Sequence, residues 1–269
     1  MGMSLGIIAI KGGVGKTSVS SSLATSLAKG GKKVLLVDAN YGAPNLGLHM
    51  DIVVPEKTIH DVLSGRAKMK TAIHSKYGVD IIPGSYVANY DINPMKLKDK
   101  VSTIKKDYDF VIIDGSPSLN EEILSTMVAS DLLFVVSTPD YPTLSCSLRA
   151  AHLARKRGRP IGGVILNKIR DPRYELSLKD IERTSALPVV ARIPDEKVHV
   201  KALCARVPVA VFDPRAKFSR EIGKLGDSLT GNTKKTGWWQ RVFSKRFRPE
   251  NINRHVMQEK LYEGTFGEF

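Results

Sequence analysis

The sequence predicts an α/β fold in which a mainly parallel sheet carries helices on both faces. Three observations carry this expectation. Short apolar runs alternate with stretches of helical periodicity along the 269 residues, the pattern of repeated strand–helix–strand units. A glycine-rich stretch at residues 10–18 (IKGGVGKTS) separates the first apolar run from the first helical one. Polar residues of pointed chemistry, Lys11 to Thr17, Asp38, Asp114 and Asn167, each follow an apolar run. That position is the carboxyl end of a buried strand, where parallel sheets bind ligands.

Taken in order, residues 5–10 form a buried strand, and Val19, Leu23 and Leu27 recur at helical spacing in residues 18–29. Residues 33–37 (KVLLV) form a second strand ending at Asp38, and residues 59–63 a short helix. A third strand at 79–82 is closed by Pro83-Gly84, and 94–106 is a helix whose first turn accepts the proline. Strands at 110–113, 132–137 and 161–166 alternate with helices at 121–129 and 144–157, the latter ending at Gly158. Residues 176–185 are helical, 189–191 a last short strand and 218–229 a final helix. No internal repeat is visible.

A glycine-rich turn between a buried strand and a helix start is a phosphate cradle. Its backbone N–H groups converge on an anion and the helix N-terminus adds partial positive charge. In residues 12–18 (Gly12, Gly13, Val14, Gly15, Lys16, Thr17 and Ser18), Lys16 would reach the β- and γ-phosphates and Thr17 would hold Mg²⁺. Position 10 is Ile rather than glycine, and Lys11 adds a second lysine, giving KGGVGKT. This resembles the deviant Walker A loop of the MinD/ParA family of P-loop ATPases. The resemblance implies ATP and Mg²⁺ as cofactors, a homodimer formed on ATP, and a Lys11 that crosses to the partner's nucleotide.

Other segments extend the resemblance over about residues 3–230, with TIHDVLSG and DIIPGS closer to MinD than to plasmid-type ParA. Asp38 to Leu46 (DANYGAPNL) is similar to the first switch, but Asn40 stands where the family has a second carboxylate. An Asn aligns a water yet cannot take its proton, so slow hydrolysis is expected. The alternative is that Asn40 only forms a turn. Asp114 in DGSPSL resembles the Walker B carboxylate, with Pro117 retained and Ser116 replacing the first proline. With Thr17 and Asp38 it makes up the implied metal set. Asn167, Pro194 and Asp195 match the family positions around the adenine base. Lys11, Lys16, Asp38 and Asn40 are the catalytic candidates.

Composition bounds the remainder. A hydrophobic fraction of 42% is ordinary for a chain with a core. The two cysteines, Cys146 and Cys204, form no metal-ligand or disulfide pattern and suit a reducing cytosol. No signal peptide is recognisable, and nothing approaches the ~20 apolar residues of a membrane span. The net charge of +14 suggests nucleic acid or anionic lipid as a partner. Arg155, Lys156, Arg157 and Arg159 cluster at one helix end, basic surface of the kind through which ParA-type relatives bind DNA non-specifically. Favourable pairing with the helix dipole explains the same cluster. The six histidines are scattered and structural.

The expected organisation is an ATPase domain at 1–230, a linker at 231–237 (GNTKKTG), an amphipathic segment at 238–248 and an unassigned extension at 249–269. In WWQRVFSKRFR, Trp238, Trp239, Val242, Phe243 and Phe247 share one half of a helix, while Arg241, Lys245 and Arg248 share the other. Arg246 intrudes on the apolar half. This resembles MinD's membrane-targeting helix, and an anionic membrane, a protein partner and the chain's own domain are the three surfaces it suits. Two copies on one dimer would bind far better than one. The resemblance thus implies an ATPase of the cytoplasm and inner membrane face that positions a division site or cargo, with an unidentified activator. A ParA-like DNA partitioner and a nucleotide-dependent scaffold are the alternatives.

Overall fold

The computed structural model describes residues 2–88, 90–171 and 173–231, together with Arg254 and Met257. The first half of the chain runs β1 (Met3–Ile8), α1 (Lys16–Lys29), β2 (Val34–Ala39), α2 (Leu46–His49) and α3 (Ile59–Ser64). It continues through β3 (His74–Lys76), β4 (Val79–Ile82), α4 (Leu97–Ile104), β5 (Phe110–Gly115) and α5 (Glu121–Ala129). The second half comprises β6 (Leu132–Ser137), α6 (Tyr141–Lys156), β7 (Ile161–Ile169), α7 (Leu178–Ser185) and β8 (Val189–Pro194). It closes with α8 (Val198–Cys204), α9 (Val209–Phe212) and α10 (Lys217–Leu229).

The strands form one sheet in the order β3-β4-β2-β5-β1-β6-β7-β8, parallel except where β3 pairs antiparallel with β4. Helices cover both faces, as the alternating pattern requires. One face holds a continuous core that includes Leu5, Leu36, Ile112, Phe134 and Ile165 beneath α1 and α10. The other face holds two separate cores, one including Leu35, Val111 and Val101, the other Val135, Val164 and Ala151. The central strands are buried on both sides, which is why they read as unbroken apolar runs.

Several boundaries differ from the sequence expectation: β1 ends at Ile8 rather than at residue 10, α1 starts at Lys16, α7 starts at Leu178 and β8 runs to Pro194. Three further differences have local reasons. Helix α6 starts at Tyr141 because the Asp140 carboxylate accepts the Thr143 N–H at 2.9 Å, with Pro142 in the first turn. Strand β7 runs past Asn167 because its pairing with β8 extends to Ile169. The helix expected at 94–106 is α4 with a 3₁₀ turn at each end. The edge strand β3 and helices α2, α8 and α9 have no counterpart in the sequence reading. They span three to seven residues, too few for periodicity to register. Among the described residues no helix is long and apolar enough to cross a membrane.

Candidate functional site

The loop after β1 joins the middle of the sheet to α1, so its backbone lies over the carboxyl ends of β5 and β6 on either side. Gly13 and Gly15 take left-handed backbone conformations, with φ of 75° and 93°. At Gly15 a side chain is excluded twice over, because a Cβ there would lie 2.3 Å from Asn167 Nδ2. Asn167 is fully buried on β7 and donates from Nδ2 to the Val14 carbonyl at 2.8 Å. It therefore props the loop from below, a contact the sequence did not suggest. Its Oδ1 is buried and makes no hydrogen bond.

Lys16 is only 7% exposed. Burial pushes its ammonium pKa down while the Asp114 carboxylate opposes the shift. The Thr17 hydroxyl donates to Asn45 Oδ1 at 2.8 Å, and Ser20 donates to Asp114 Oδ1 at 2.8 Å. Ser18 lines the same cleft as Lys16 and Thr17, about 360 Å³ in volume.

Asp38 and Asp114 stand side by side, in register on the neighbouring strands β2 and β5, and both are buried. Burial first, and then the Asp114 charge, raise the Asp38 pKa to about 8. Burial likewise raises that of Asp114, against Thr17, Lys16 and Ser20. Backbone N–H groups of Asn40 and Leu46 hold the Asp38 oxygens at 3.0 and 3.1 Å. Asp114 Oδ2 is buried with no partner. Two adjacent buried carboxylates, one with an orphaned oxygen, beside a threonine hydroxyl suit a hydrated hard cation such as Mg²⁺.

Asn40 is buried and donates from Nδ2 to the Ala43 carbonyl at 2.5 Å, so its amide pins the turn after β2. It also lines the cleft with Lys16 and Thr17. Turn-forming and cleft-facing are thus both properties of one side chain. Lys11 takes a different direction. Its Nζ donates to Thr143 Oγ1 at 2.8 Å and lies 3.7 Å from Asp140, with the side chain 45% exposed. Around it opens a second cleft of about 690 Å³, whose walls include Gly12, Tyr141, Lys168 and Arg170.

Pro194 ends β8 and Asp195 follows it, paired with Arg170 at 2.8 Å. Asp195 shares the 360 Å³ cleft with two residues that sequence reasoning passed over, His49 and His199. Burial and the neighbouring His199 push His49 down to about 4. His199 packs edge-on against Phe218 with ring centroids 4.3 Å apart. Lone histidines carry no periodic signal, so nothing in the sequence marks them. Of the basic cluster, Arg155 donates from Nη2 to the Ser185 and Ala186 carbonyls at 3.3 and 3.2 Å, capping the carboxyl end of α7. Trp238, Trp239, Val242, Phe243 and Phe247 lie outside the described residues.

The chain is similar to known proteins in sequence and fold. A family model described as an AAA domain matches residues 3–148. An uncharacterized ATP-binding protein of Methanocaldococcus jannaschii is 32% identical over 234 residues, covering 86% of this chain and 89% of that protein. The septum site-determining protein MinD of Thermotoga maritima is 29% identical over 245 residues, 86% of this chain and 89% of its own. Among solved structures, MinD from Pyrococcus horikoshii complexed with Mg-ADP superposes with a TM-score of 0.79 at 28% identity. It covers 85% of this chain and 96% of that one.

Proposed function

Because the chain belongs to the MinD/ParA family of P-loop ATPases, we propose that it switches between a monomer and an ATP-sandwiched dimer that resides on an anionic membrane. ATP and Mg²⁺ are its cofactors. The observation that carries the reading is the division of labour between two lysines of one loop. Lys16 is buried beside Asp114 in its own site, while Lys11 lies on the surface beside a wide cleft, free to reach a second subunit.

Within one subunit, the N–H groups of residues 12–17 and Lys16 bind the β- and γ-phosphates. Thr17, Asp38 and Asp114 would hold Mg²⁺, whose positive charge would offset that of the phosphate oxygens. Asn167, Pro194 and Asp195 line the base. Asn40 orients the attacking water through its amide but cannot accept its proton, so turnover is slow. Lys11 crosses to the partner's phosphates and stabilises charge that develops there, in the manner of an arginine finger.

Dimerisation gives ATP control over location. Eleven residues make a helix of about 16 Å, which binds a bilayer weakly alone and well in pairs. The apolar half of 238–248 inserts and its cations meet anionic headgroups. The role is spatial, positioning a division site or other cargo at the inner membrane face, under an activating partner protein. One observation favours a second reading. Lys156 and Arg157 are exposed at the end of α6, which suits non-specific DNA binding of the ParA kind. Salt-sensitive DNA binding that survives loss of the 238–248 aromatics identifies it.

Vesicle co-sedimentation tests the main reading. The full chain is compared with a Trp238→Ser, Trp239→Ser, Phe243→Ser variant, each with ATP, with ADP and without nucleotide, on vesicles containing anionic lipid. Pelleting of the unaltered chain with ATP only supports it. Pelleting indifferent to nucleotide or to the three substitutions contradicts it.

A further inference from the structure

The extension at 249–269 has no role in the sequence reading, yet two of its residues sit in the body of the domain. Met257 is fully buried and belongs to the continuous core that includes Val190, Ile222 and Leu225. Arg254 lies against β8 and α10. Its Nε donates to the Val190 carbonyl at 2.7 Å and its guanidinium pairs with Glu221. Both side chains of that pair are shielded, at 16% and 9% exposure.

The position of these contacts gives them a purpose. Strand β8 is the last in the sheet, so the groups on its outer side face no further strand. Such a row is a template for unwanted pairing unless something covers it. Here Arg254 occupies the Val190 carbonyl, and Glu221 accepts the Arg192 N–H at 3.2 Å. The arginine and the glutamate that cap the edge are also each other's partners. Three residues further on, one helical step along the same face, Met257 enters the core.

We infer that Arg254 and Met257 of the C-terminal extension act as a strap, docked into the seam between β8 and α10, that seals the open sheet edge and completes the core of its own chain. Arg254 thus meets α10 at Glu221, in the same helix whose Ile222 and Leu225 share the core with Met257. Neither Arg254 nor Met257 belongs to the phosphate loop or to residues 238–248, and the test uses no nucleotide and no membrane, so the strap stands or falls apart from the function proposed above.

The test uses the full chain without nucleotide. Met257→Ala lowers Tm by about 5–10 °C, the effect of emptying a buried methionine site in a domain of this size. Arg254→Ala lowers it less, and adding Glu221→Gln to Arg254→Ala costs little more, because the two groups act as one. After limited proteolysis between residues 232 and 253, the C-terminal piece co-elutes with the body on gel filtration. A Tm unmoved by both Met257→Ala and Arg254→Ala, or a cleaved piece that elutes alone, overturns the strap. A Tm that rises with protein concentration shows exchange between chains and overturns docking in cis.

Discussion

Lys11 and Lys16 lie five positions apart in one loop and meet opposite physical conditions. Lys16 sits at the start of α1, buried, its charge held beside Asp114 in a place that would be costly without an anion to share it. Lys11 precedes the tight glycine turns and rests on Thr143 and Asp140, half in solvent. A buried lysine is a fixed wall of its own site. An exposed one, held by a contact of at most about 1 kcal/mol, is free to leave for something better. On the proposed reading, the loop contains one lysine for the resident phosphates and one for a visitor.

Substitutions separate the two. Lys11→Ala lowers steady-state ATP hydrolysis about 1,000-fold, as loss of a charge supplied in trans does, while the monomer's ATP affinity stays within about threefold. Kinetics together with equilibrium binding of a fluorescent ATP analogue reads both quantities. Lys16→Ala does the reverse and weakens ATP binding about 100-fold by removing a charge-assisted phosphate contact. A common fall in affinity for both variants breaks the comparison. Asn40→Asp supplies the missing carboxylate and raises the single-turnover rate by about 10-fold or more. A rate no faster than that of the unaltered chain leaves Asn40 a turn-former only.

Two smaller effects sharpen the picture. Asp140→Ala removes the resting place of Lys11 and tightens ATP-dependent dimerisation by no more than about fivefold, the ceiling for an exposed pair. His49 is held near pKa 4 against an ordinary value of 6.5. Between those values the unfolded chain binds a proton that the folded one refuses, so stability falls as pH drops from about 6.5 to about 4. Thermal unfolding of His49→Gln across that window shows a shallower decline.

What the sequence made legible follows from which forces are local. Apolar runs mark β1, β2 and β5 to β7 because those strands are buried on both faces. The phosphate loop, Asp38 and Asp114 are legible because each directly follows or ends such a run. The contacts that tune the site are not local. Thr143, which receives Lys11, lies 132 residues away, and Asn167 props Val14 across 153. Helices α8 and α9 carry too few residues to show a period. Met257 stands with Val256 in a short, mixed stretch that shows no clear period, and only the fold reveals that it joins the core.

The dimer bridged by Lys11 is the central claim, and sedimentation velocity reads it most directly. Measured with ADP and with ATP, the unaltered chain should be a monomer in the first and a dimer in the second. Lys11→Ala should remain a monomer in both while still binding ATP. An unaltered chain that stays monomeric with saturating ATP, or a Lys11→Ala variant that dimerises as readily, would contradict the account.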